Sequence, residues 1–224
     1  PTIANLLTQD PALKIVSVFL FFVASEDKRE QAFSLTQIKS FKMASSTLCK
    51  ALGIEPLRHI LNTSGIFNYP EATFDMVRSG IGLYGFANDA QINTMLRPVA
   101  TLKTVISQKH TVMPDQTVGY NRAFVAHTQR TTATLPIGHA DGIGRQYGNG
   151  CAHVLIHGKK APIIGNVCMD MLMVDVTGIN CKEGDEVVIF GADHTAAQIA
   201  QSGGTISYEL LSAISQRVKR IIKP

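Results

Sequence analysis

The sequence predicts an α/β barrel portion, of the TIM-like kind but partial, followed by a mostly antiparallel β-domain. Residues 1–85 alternate between apolar runs and helical segments, which is the pattern of parallel strands joined by crossover helices. That half is too short to close an eight-stranded barrel, which needs about 200 residues or more. Residues 97–191 instead contain short β-rich runs separated by turn signals. We place the boundary within 88–93 and predict domains at 1–90 and 91–224.

The first half is predicted to contain three strands and two main helices after a short helical segment within Pro1–Leu13. The continuous apolar run Ile15–Val23 predicts a parallel strand covered on both faces. A capping-box pattern, Ser34-x-x-Gln37, predicts a helix that stops at Gly53. The remaining predicted elements are a strand at Arg58–Leu61, a turn at Asn62–Gly65, a helix from Pro70 to about Val77 and a strand at Ile81–Tyr84.

The second half is predicted to be built from short strands with two helices near its end. Turn-forming sequences such as Tyr147-Gly-Asn-Gly and Lys182-Glu-Gly-Asp separate the runs. The predicted elements are strands at Val99–Ile106, Thr131–Ile137, His153–His157, Ile163–Val176 and Glu186–Phe190, helices at Thr195–Gln201 and Ser207–Ser215, and a basic strand at the end of the chain.

Composition and charge indicate an ordinary globular domain that binds neither nucleic acid nor membrane. The chain has 224 residues, 45% hydrophobic and 17% charged, with a net charge of +4. The one basic cluster, 217–223, has no interleaved aromatic residues and is best explained as a solvated face. The apolar run 15–24 is too short to cross a bilayer, and no basic segment precedes it as in a signal peptide.

Cysteine usage indicates a reducing compartment, which agrees with a cytoplasmic location. The four cysteines are Cys49, Cys151, Cys168 and Cys181. None forms a C-x-x-C pair, so we expect free and mostly buried thiols. Cys151, His153 and His157 lie on one alternating stretch that would direct all three to one face. No second pair of ligands follows, so no metal site is expected.

Several motifs, in order along the chain, resemble those of the alanine racemases, which invert alanine on pyridoxal phosphate. They are Met-Val-Arg-Ser-Gly-Ile-Gly-Leu-Tyr-Gly at 76–85, Val-Gly-Tyr-Asn at 118–121, Pro-Ile-Gly-His-Ala-Asp-Gly at 136–142, Pro-Ile-Ile-Gly-Asn-Val-Cys-Met-Asp at 162–170 and Ile-Ser-Tyr-Glu-Leu-Leu at 206–211. The resemblance covers nearly the whole chain and the C-terminal part of the family, namely the end of its pyridoxal-phosphate-binding barrel and its complete C-terminal β-domain. It implies L- and D-alanine interconversion, which supplies D-alanine for peptidoglycan.

The resemblance assigns the catalytic tyrosine to Tyr120, in Val118-Gly-Tyr-Asn-Arg-Ala-Phe. Racemisation needs an acid or base on each face of a planar carbanion and an electron sink. The family uses its cofactor lysine on one face and this tyrosine on the other. A tyrosine has an ordinary pKa of about 10, so it needs a cationic or hydrogen-bonding neighbour to act as a base. The alternative is an ordinary tyrosine at the edge of a turn.

The resemblance also assigns a set of cofactor-binding residues. Arg78 would face the pyridine nitrogen, and because an arginine does not give up its proton, that nitrogen would stay unprotonated. Thr63 would contact the phosphate through its hydroxyl, in place of a serine, and Gly80 and Ile81 would do so through their backbone. Tyr208 matches a further phosphate contact. The alternatives are a surface charge for Arg78 and core packing for Tyr208.

Three residues match the family's substrate-binding positions. The backbone amide of Met169 would receive the substrate carboxylate, while Asp170 and Arg145 would line the substrate entrance. His139 stands where many relatives carry tyrosine. In the family, the tyrosine, methionine and aspartate reach the cofactor of the other subunit. The resemblance therefore implies a head-to-tail homodimer with two shared sites and alanine as the small-molecule partner.

The chain departs from the family's pattern in three ways. No lysine lies in the motif that carries the Schiff-base lysine, and the Thr-Gly-Met-x-Arg-Leu-Gly segment is missing. Phe21 stands where relatives have a histidine that supports the arginine at the pyridine. Since Phe21 makes no hydrogen bond, Arg78 is predicted to need another partner. We therefore expect this chain to be incomplete as an isolated catalyst.

Two alternatives remain at the level of sequence. One is a non-catalytic module, derived from such an enzyme, that serves dimerisation or ligand binding. The other is a barrel relative such as an ornithine-type decarboxylase or a racemase of another amino acid. The Cys-Met-Asp and Ile-Ser-Tyr-Glu motifs favour the alanine enzymes over those relatives.

Overall fold

The computed structural model describes residues 2–9 and 12–223, and the chain divides into two compact units. The first unit, here called the α/β unit, spans Pro1–Arg97, and the second, the β-domain, spans Pro98–Pro224. The predicted order of an α/β portion followed by a mostly antiparallel β-domain is confirmed.

Among its described residues, the α/β unit contains one parallel pair of strands joined by a long helix. Strand β1 pairs with β2 in parallel, with Phe19 opposite His59. The helices and strands are α1 (Thr2–Gln9), β1 (Ser17–Phe19), α2 (Gln31–Leu52), β2 (Leu57–His59), α3 (Thr63–Asn68) and α4 (Ala90–Asn93), with 3₁₀ turns at Lys28–Glu30, Pro70–Ala72 and Ile81–Tyr84. Strand, helix and parallel strand follow one another as predicted, but β1 and β2 are shorter than expected.

Helix α2 ends where predicted and begins earlier. Gly53 adopts φ +64° and donates its N–H to the Cys49 carbonyl, which makes it a left-handed C-terminal cap. Ser34 lies inside the helix, and its hydroxyl donates to the Ala24 carbonyl at 3.3 Å. The N-cap of α2 is Glu30, which makes no side-chain capping hydrogen bond, while Asp27 caps the preceding 3₁₀ turn by accepting the Arg29 N–H. The capping-box prediction at Ser34 is therefore wrong.

The segment after β2 folds into short turns of helix rather than a turn, a long helix and a strand. Asn62 caps α3 by accepting the Gly65 N–H at 2.9 Å, so the predicted turn at 62–65 is the start of a helix. The helix predicted from Pro70 is a single turn. Residues 81–84 form a 3₁₀ helix instead of a strand, and it ends at Gly85 with φ +82°. Glycines at 80, 82 and 85 permit this tight path, which apolar content alone does not reveal.

The apolar run around β1 is covered on one side only, so the prediction of a strand buried on both faces is wrong. Phe22 is buried and meets Tyr69 edge-on, with ring centroids 5.2 Å apart. Phe19 and Phe21 are 61% and 73% exposed. The buried core of the unit consists of Phe22, Phe41, Ile60, Leu61, Tyr69 and Ala72. Two strands and one long helix supply too little chain to cover both faces.

The β-domain is organised on one seven-stranded antiparallel sheet. Its order is β3-β11-β8-β9-β10-β7-β4, and β5 and β6 form a separate hairpin. The elements are β3 (Leu102–Val105), β4 (Gln108–Val112), β5 (Thr117–Val118), β6 (Phe124–Val125), β7 (Arg130–Leu135), β8 (His153–Ile156), β9 (Lys159–Ile164), β10 (Leu172–Asp175), β11 (Glu186–Phe190), α5 (Ala196–Ser202) and α6 (Ser207–Ala213). Alternate strand residues such as Val154 and Ile156 are fully buried.

Two predictions in the β-domain are wrong. The strand predicted at Ile163–Val176 is split into β9 and β10 by a loop, which starts at Gly165 with φ +64°. The basic strand predicted at the end of the chain is absent from residues 216–223, where Arg220 instead donates to the carbonyls of Ile214 and Val218 within its own segment. In the described residues, no helix has the length and apolar content needed to cross a membrane.

Candidate functional site

The α/β unit places Arg78 directly against a buried histidine at the end of β2. The guanidinium Nη1 donates to His59 Nδ1 at 2.8 Å, and Nη2 lies 3.5 Å from the Ile60 carbonyl. The Arg78 backbone N–H donates to the Leu61 carbonyl at 3.0 Å. The prediction that Arg78 needs a partner other than residue 21 is therefore confirmed, and that partner is His59.

The surroundings of His59 keep its ring neutral. Burial lowers the pKa of His59, and the positive charge of Arg78 lowers it further. Because a guanidinium only donates, the neutral ring accepts at Nδ1 and carries its proton at Nε2. Phe19 stacks on His59 with centroids 5.4 Å apart, and the Arg78 guanidinium carbon lies 5.4 Å from the Phe19 ring centroid. The side chains of His59 and Phe19 together fix the direction of the Arg78 guanidinium.

Thr63 holds the glycine-rich turn that follows Arg78 through two hydrogen bonds. Its Oγ1 accepts the N–H groups of Gly80 and Gly82, each at 3.2 Å. A Cβ at Gly82 would lie 2.9 Å from Thr63 Cγ2, so this approach requires glycine. With both acceptor positions of the hydroxyl used, its proton is directed to a further acceptor. Thr63 and Gly80, with Ile81 next in sequence, are thus brought together in an arrangement suited to an anion.

Tyr120 lies on a tightly wound loop of the β-domain and is 71% exposed. Gly119, Asn121 and Arg122 all have positive φ, at +82°, +60° and +51°. For the two residues that are not glycine, this conformation costs of order 1–3 kcal/mol each and persists only where the surrounding structure enforces it. The phenol is therefore presented to solvent by a backbone that is itself held in place.

The loop between β9 and β10 holds the Tyr120 backbone. Asn166 Nδ2 donates to the Tyr120 carbonyl at 2.9 Å, and its Oδ1 accepts from Asn149 Nδ2 at 3.1 Å. Gly119 and Gly165 pass so close that a Cβ at Gly165 would lie 2.9 Å from the Val118 carbonyl oxygen. Tyr120 is thus positioned by the same loop that carries Met169 and Asp170.

Met169 and Asp170 lie at the far end of that loop. Cys168 N–H donates to the Met171 carbonyl at 2.9 Å, which closes a turn around the two residues. The Met169 carbonyl accepts the Ala140 N–H at 3.0 Å. Asp170 Oδ1 accepts from Arg217 Nη2 at 2.6 Å. The structure therefore brings Met169 and Asp170 together, with Arg217 as the cation at the Asp170 carboxylate.

The remaining predicted residues of the β-domain lie on short helical segments. Arg145 is exposed and starts a 3₁₀ helix, Arg145–Tyr147. His139 is exposed at the start of another, His139–Asp141. Tyr208 lies in the first turn of α6 and is half-buried. None of these placements assigns a chemical role by itself.

Histidines and cysteines do not assemble a metal site in the described residues. No group of three or more His, Cys, Asp or Glu side chains in residues 2–9 and 12–223 is placed to hold a metal ion. All four cysteines are free, but Cys181 alone is buried, so the expectation of mostly buried thiols is wrong. His153 instead stacks on His194, with ring centroids 4.2 Å apart.

Three residues that sequence reasoning missed hold the predicted ones in place: His59, Asn166 and Arg217. His59 begins the segment that ends in Asn62 and Thr63, which resembles a His-x-x-Asn-Ser segment of the family, but no role beside Arg78 was predicted for it. Asn166 lies inside a motif that sequence alone presents as a buried strand. Arg217 belongs to a basic cluster whose simplest explanation is a solvated face, and nothing local connects it with Asp170.

Comparison with known proteins gives a consistent result along the chain. Residues 1–88 match the family model described as alanine racemase, N-terminal domain, and residues 99–222 match alanine racemase, C-terminal domain. An alanine racemase of Halothermothrix orenii is 39% identical over 218 residues, which are 94% of this chain and 57% of that protein. Alanine racemase 1 of Clostridium acetobutylicum is 38% identical over 215 residues, 92% and 55% of the two chains.

Solved structures give the same pattern. The alanine racemase of Streptomyces coelicolor has a TM-score of 0.87 at 28% identity, over 98% of this chain and 60% of that one. A Bacillus anthracis alanine racemase with bound L-Ala-P has a TM-score of 0.84 at 28% identity, over 96% and 56%. The Bartonella henselae enzyme, with covalently bound pyridoxal phosphate, gives 0.82 at 28%, over 97% and 60%. The chain spans somewhat more than half the length of the relatives it matches.

Proposed function

The chain belongs to the alanine racemase family, and we propose that it supplies the C-terminal barrel portion and the β-domain of an enzyme that interconverts L- and D-alanine. Its α/β unit is a portion of the family's α/β barrel, followed by the family's C-terminal domain. The proposed enzyme is an isomerase that uses pyridoxal phosphate, acts in the cytoplasm and supplies D-alanine for peptidoglycan. Arg78 and Thr63, gathered at the end of β2, carry the proposal.

The groups at the end of β2 fit the two ends of pyridoxal phosphate. Thr63 offers a hydroxyl proton beside the backbone of Gly80 and Ile81, which suits a phosphate. Arg78 offers a fixed guanidinium beside a neutral His59, which suits a ring nitrogen that accepts a hydrogen bond. We assign Thr63, Ile81 and Tyr208 to the phosphate and Arg78 to the pyridine nitrogen. Gly80 is assigned to the same phosphate site, where the N–H that it donates to Thr63 Oγ1 orients the hydroxyl.

Pyridoxal phosphate, when bound, supplies the electron sink that makes the α-proton of alanine removable. Tyr120 exchanges that proton at its phenolic oxygen on one face of the substrate. The Met169 backbone amide receives the substrate carboxylate, and Asp170 and Arg145 line the entrance. Arg78 would hold the pyridine nitrogen by donating a hydrogen bond while keeping its own proton, so that the nitrogen would stay unprotonated and side reactions would be limited.

The proposed enzyme is a homodimer with shared sites. Tyr120, Met169 and Asp170 would serve the cofactor of the partner subunit, while Thr63 and Arg78 would serve the chain's own. This arrangement accounts for the exposure of Tyr120 and Met169, two large side chains at 71% and 58%, since a shared site covers them only on assembly.

Catalysis is proposed to require a barrel segment that this chain does not contain. None of its lysines lies in a motif that matches the cofactor lysine. The exposed apolar residues Phe19, Phe21 and Val23 alternate along the run that contains β1 and form a face of the kind that further barrel strands cover. An apolar groove of about 1210 Å³, lined by residues of α1, β1 and α2, lies beside the same strand.

The first experiment measures whether the 224-residue chain binds pyridoxal phosphate and whether it forms a covalent bond with it. Absorbance spectra are taken with the cofactor before and after borohydride, followed by mass mapping of the peptides. Reversible binding without a trapped lysine is expected, since the attachment lysine belongs to the missing segment. A single trapped lysine would show that this chain holds its own attachment point and would contradict the proposed incompleteness.

The second experiment restores the missing part. The chain is co-expressed with the N-terminal barrel segment of the Halothermothrix orenii enzyme, and L- to D-alanine conversion is followed with a D-amino-acid oxidase. Conversion by the pair, with none by either part alone, is the expected result. Stable association of the two parts without conversion of alanine would instead favour the non-catalytic module. The observation that supports this alternative is that Phe21 stands where relatives have a histidine.

A further inference from the structure

The Arg217 guanidinium joins two acidic side chains from different loops of the β-domain. Its Nε donates to Asp141 Oδ1 and its Nη2 to Asp170 Oδ1, both at 2.6 Å. Asp141 is nearly buried, and its second oxygen accepts the Gly138 N–H at 2.8 Å. Charge-assisted bonds of this length are the strong ones, and one partner is shielded from water. Arg217 is therefore fixed on the Asp141 side and reaches out to Asp170.

Backbone contacts connect the same two loops. The N–H groups of His139 and Ala140 donate to the carbonyls of Cys168 and Met169, each at 3.0 Å. A Cβ at Gly138 would lie 2.4 Å from the Cys168 carbonyl oxygen, so the two backbones are in direct contact. The conformation of the Cys168–Asp170 segment thus depends on the loop that contains Asp141.

The charge of the Asp170 side chain matters for a substrate that carries a carboxylate. Asp170 is 55% exposed in its side chain and is next in sequence to Met169, the residue proposed to receive a carboxylate. A carboxylate at Asp170 without a cation would repel a substrate carboxylate arriving beside it. Arg217 places a positive charge beside the Asp170 carboxylate and donates a hydrogen bond to its Oδ1. The negative charge of Asp170 is therefore neutralised at the position where a substrate carboxylate would arrive.

We propose that Arg217 is a positioning residue that fixes the Cys168–Asp170 segment and neutralises Asp170, so that the Met169 amide can receive the carboxylate of an amino acid. This assignment rests on the proposed racemase function of the same site. Arg217 acts through Asp170 and touches no reacting atom. A lysine provides one ammonium group, which cannot form the two-directional fork between Asp141 and Asp170.

Hydrogen exchange on the 224-residue chain tests the positioning part without any activity. Arg217→Met is compared with the parent and with Arg220→Met, a matched control whose guanidinium donates to the backbone carbonyls of Val218 and Ile214. Amide-resolved NMR exchange is expected to be about tenfold faster at His139 and Ala140 in Arg217→Met, because loss of the fork raises the population of the locally open state. Parent-like exchange in Arg217→Met, or equal acceleration in Arg220→Met, would overturn the positioning role.

Kinetics of the co-expressed enzyme test the charge part. Arg217→Met is expected to raise the KM for alanine about tenfold while kcat stays within about twofold, since the lost interaction affects substrate binding. The KM increase should shrink at high salt, and Asp170→Asn in the same chain should reverse most of it. Arg217→Lys should recover part of the KM. An unchanged KM, or an equal loss in kcat that neither salt nor Asp170→Asn relieves, would overturn the assignment.

The two measurements separate this inference from the proposed function. Faster exchange in Arg217→Met, together with a parent co-expressed enzyme that does not racemise alanine, supports the positioning role and counts against the racemase. Unchanged exchange in Arg217→Met, together with an active co-expressed enzyme, counts against the positioning role of Arg217 and not against the racemase.

Discussion

The two units of this chain contain similar apolar strands but differ in how completely those strands are covered. In the β-domain, β8 and β10 lie inside a seven-stranded sheet, and Val154, Leu172 and Val174 are fully buried. In the α/β unit, β1 has one neighbouring strand, and Phe19 and Phe21 remain mostly exposed. The same local pattern, a run of branched and aromatic residues, therefore gives a closed core in one unit and an open face in the other.

This difference shows which properties a strand carries by itself. A run of branched and aromatic residues favours an extended segment, but coverage of its faces depends on how many other elements the unit can bring to it. The β-domain supplies its own cover within 127 residues, from Pro98 to Pro224, whereas the α/β unit buries the side of the apolar run that carries Phe22. The four predictions that follow test how far this contrast reaches into chemistry and stability.

The largest expected effect separates proton transfer by the β-domain from cofactor binding by the α/β unit. In the co-expressed enzyme, Tyr120→Phe should lower racemisation by about 10²–10⁴-fold, because the loss removes a proton-transfer group, and the loss should differ between the two alanine enantiomers. Thr63→Val in the α/β unit should instead weaken pyridoxal phosphate binding and leave most of the rate at saturating cofactor. Isotope-exchange rates from each enantiomer and a cofactor titration measure these effects. Equal rates for Tyr120→Phe and the parent would remove Tyr120 from the mechanism.

The second prediction compares stability. Leu172→Ala leaves a cavity in the covered sheet and should lower the free energy of unfolding by about 2–5 kcal/mol. Val23→Ala removes a half-exposed side chain from the open face and should change it by less than about 0.5 kcal/mol. Urea unfolding of the isolated chain gives both values. A loss of several kcal/mol from Val23→Ala would show that the face around β1 is covered in solution, for instance by a second copy of the chain.

The predictability of the fold follows the same contrast. The β-domain strands at 153–156 and 186–190 were predictable because alternation, turn chemistry and burial agree there. The segment 163–176 was not, because Gly165 interrupts an otherwise continuous apolar run and only its backbone conformation reveals the loop. The strand predicted at residues 81–84 is wrong for a similar reason, since glycines on either side allow a 3₁₀ helix that apolar content does not indicate.

Within the candidate site, motif residues were predictable and their supports were not. Arg78 and Thr63 stand out in sequence, and the structure places each in a defined set of hydrogen bonds. His59 supports Arg78 from 19 residues away, and Arg217 supports Asp170 from 47 residues away. Such contacts depend on strand pairing and on the path of the final segment, neither of which a local pattern encodes.

The third prediction uses pH. Burial lowers the pKa of His59 in the α/β unit and of His153 in the β-domain, with Arg78 adding to the first and His194 and Lys160 to the second. The unfolded chain, with histidine pKa near 6.5, therefore binds more protons than the folded one. The stability from both histidines is complete above about pH 6.5 and is lost as pH falls through their lower folded pKa values.

Single variants apportion this loss between the two units. His59→Asn and His153→Asn should each make thermal unfolding less sensitive to pH between about 7.5 and 5, because each removes one group that gains a proton on unfolding. Thermal midpoints across that range give the measurement. A pH profile identical to the parent's in both variants would show that other groups carry the acid sensitivity of the chain.

The smallest expected effect concerns Phe21, on the open face of the α/β unit. Because His59 already accepts a hydrogen bond from Arg78 at 2.8 Å, a histidine introduced at position 21 is not needed to hold the guanidinium. Phe21→His should therefore leave racemisation by the co-expressed enzyme within about twofold of the parent, whereas His59→Ala should lower it by about tenfold or more through loss of an oriented contact. A large gain from Phe21→His would mean that His59 is not a sufficient support for Arg78. The residue at position 21, on the open face of the α/β unit, would then limit the rate of racemisation.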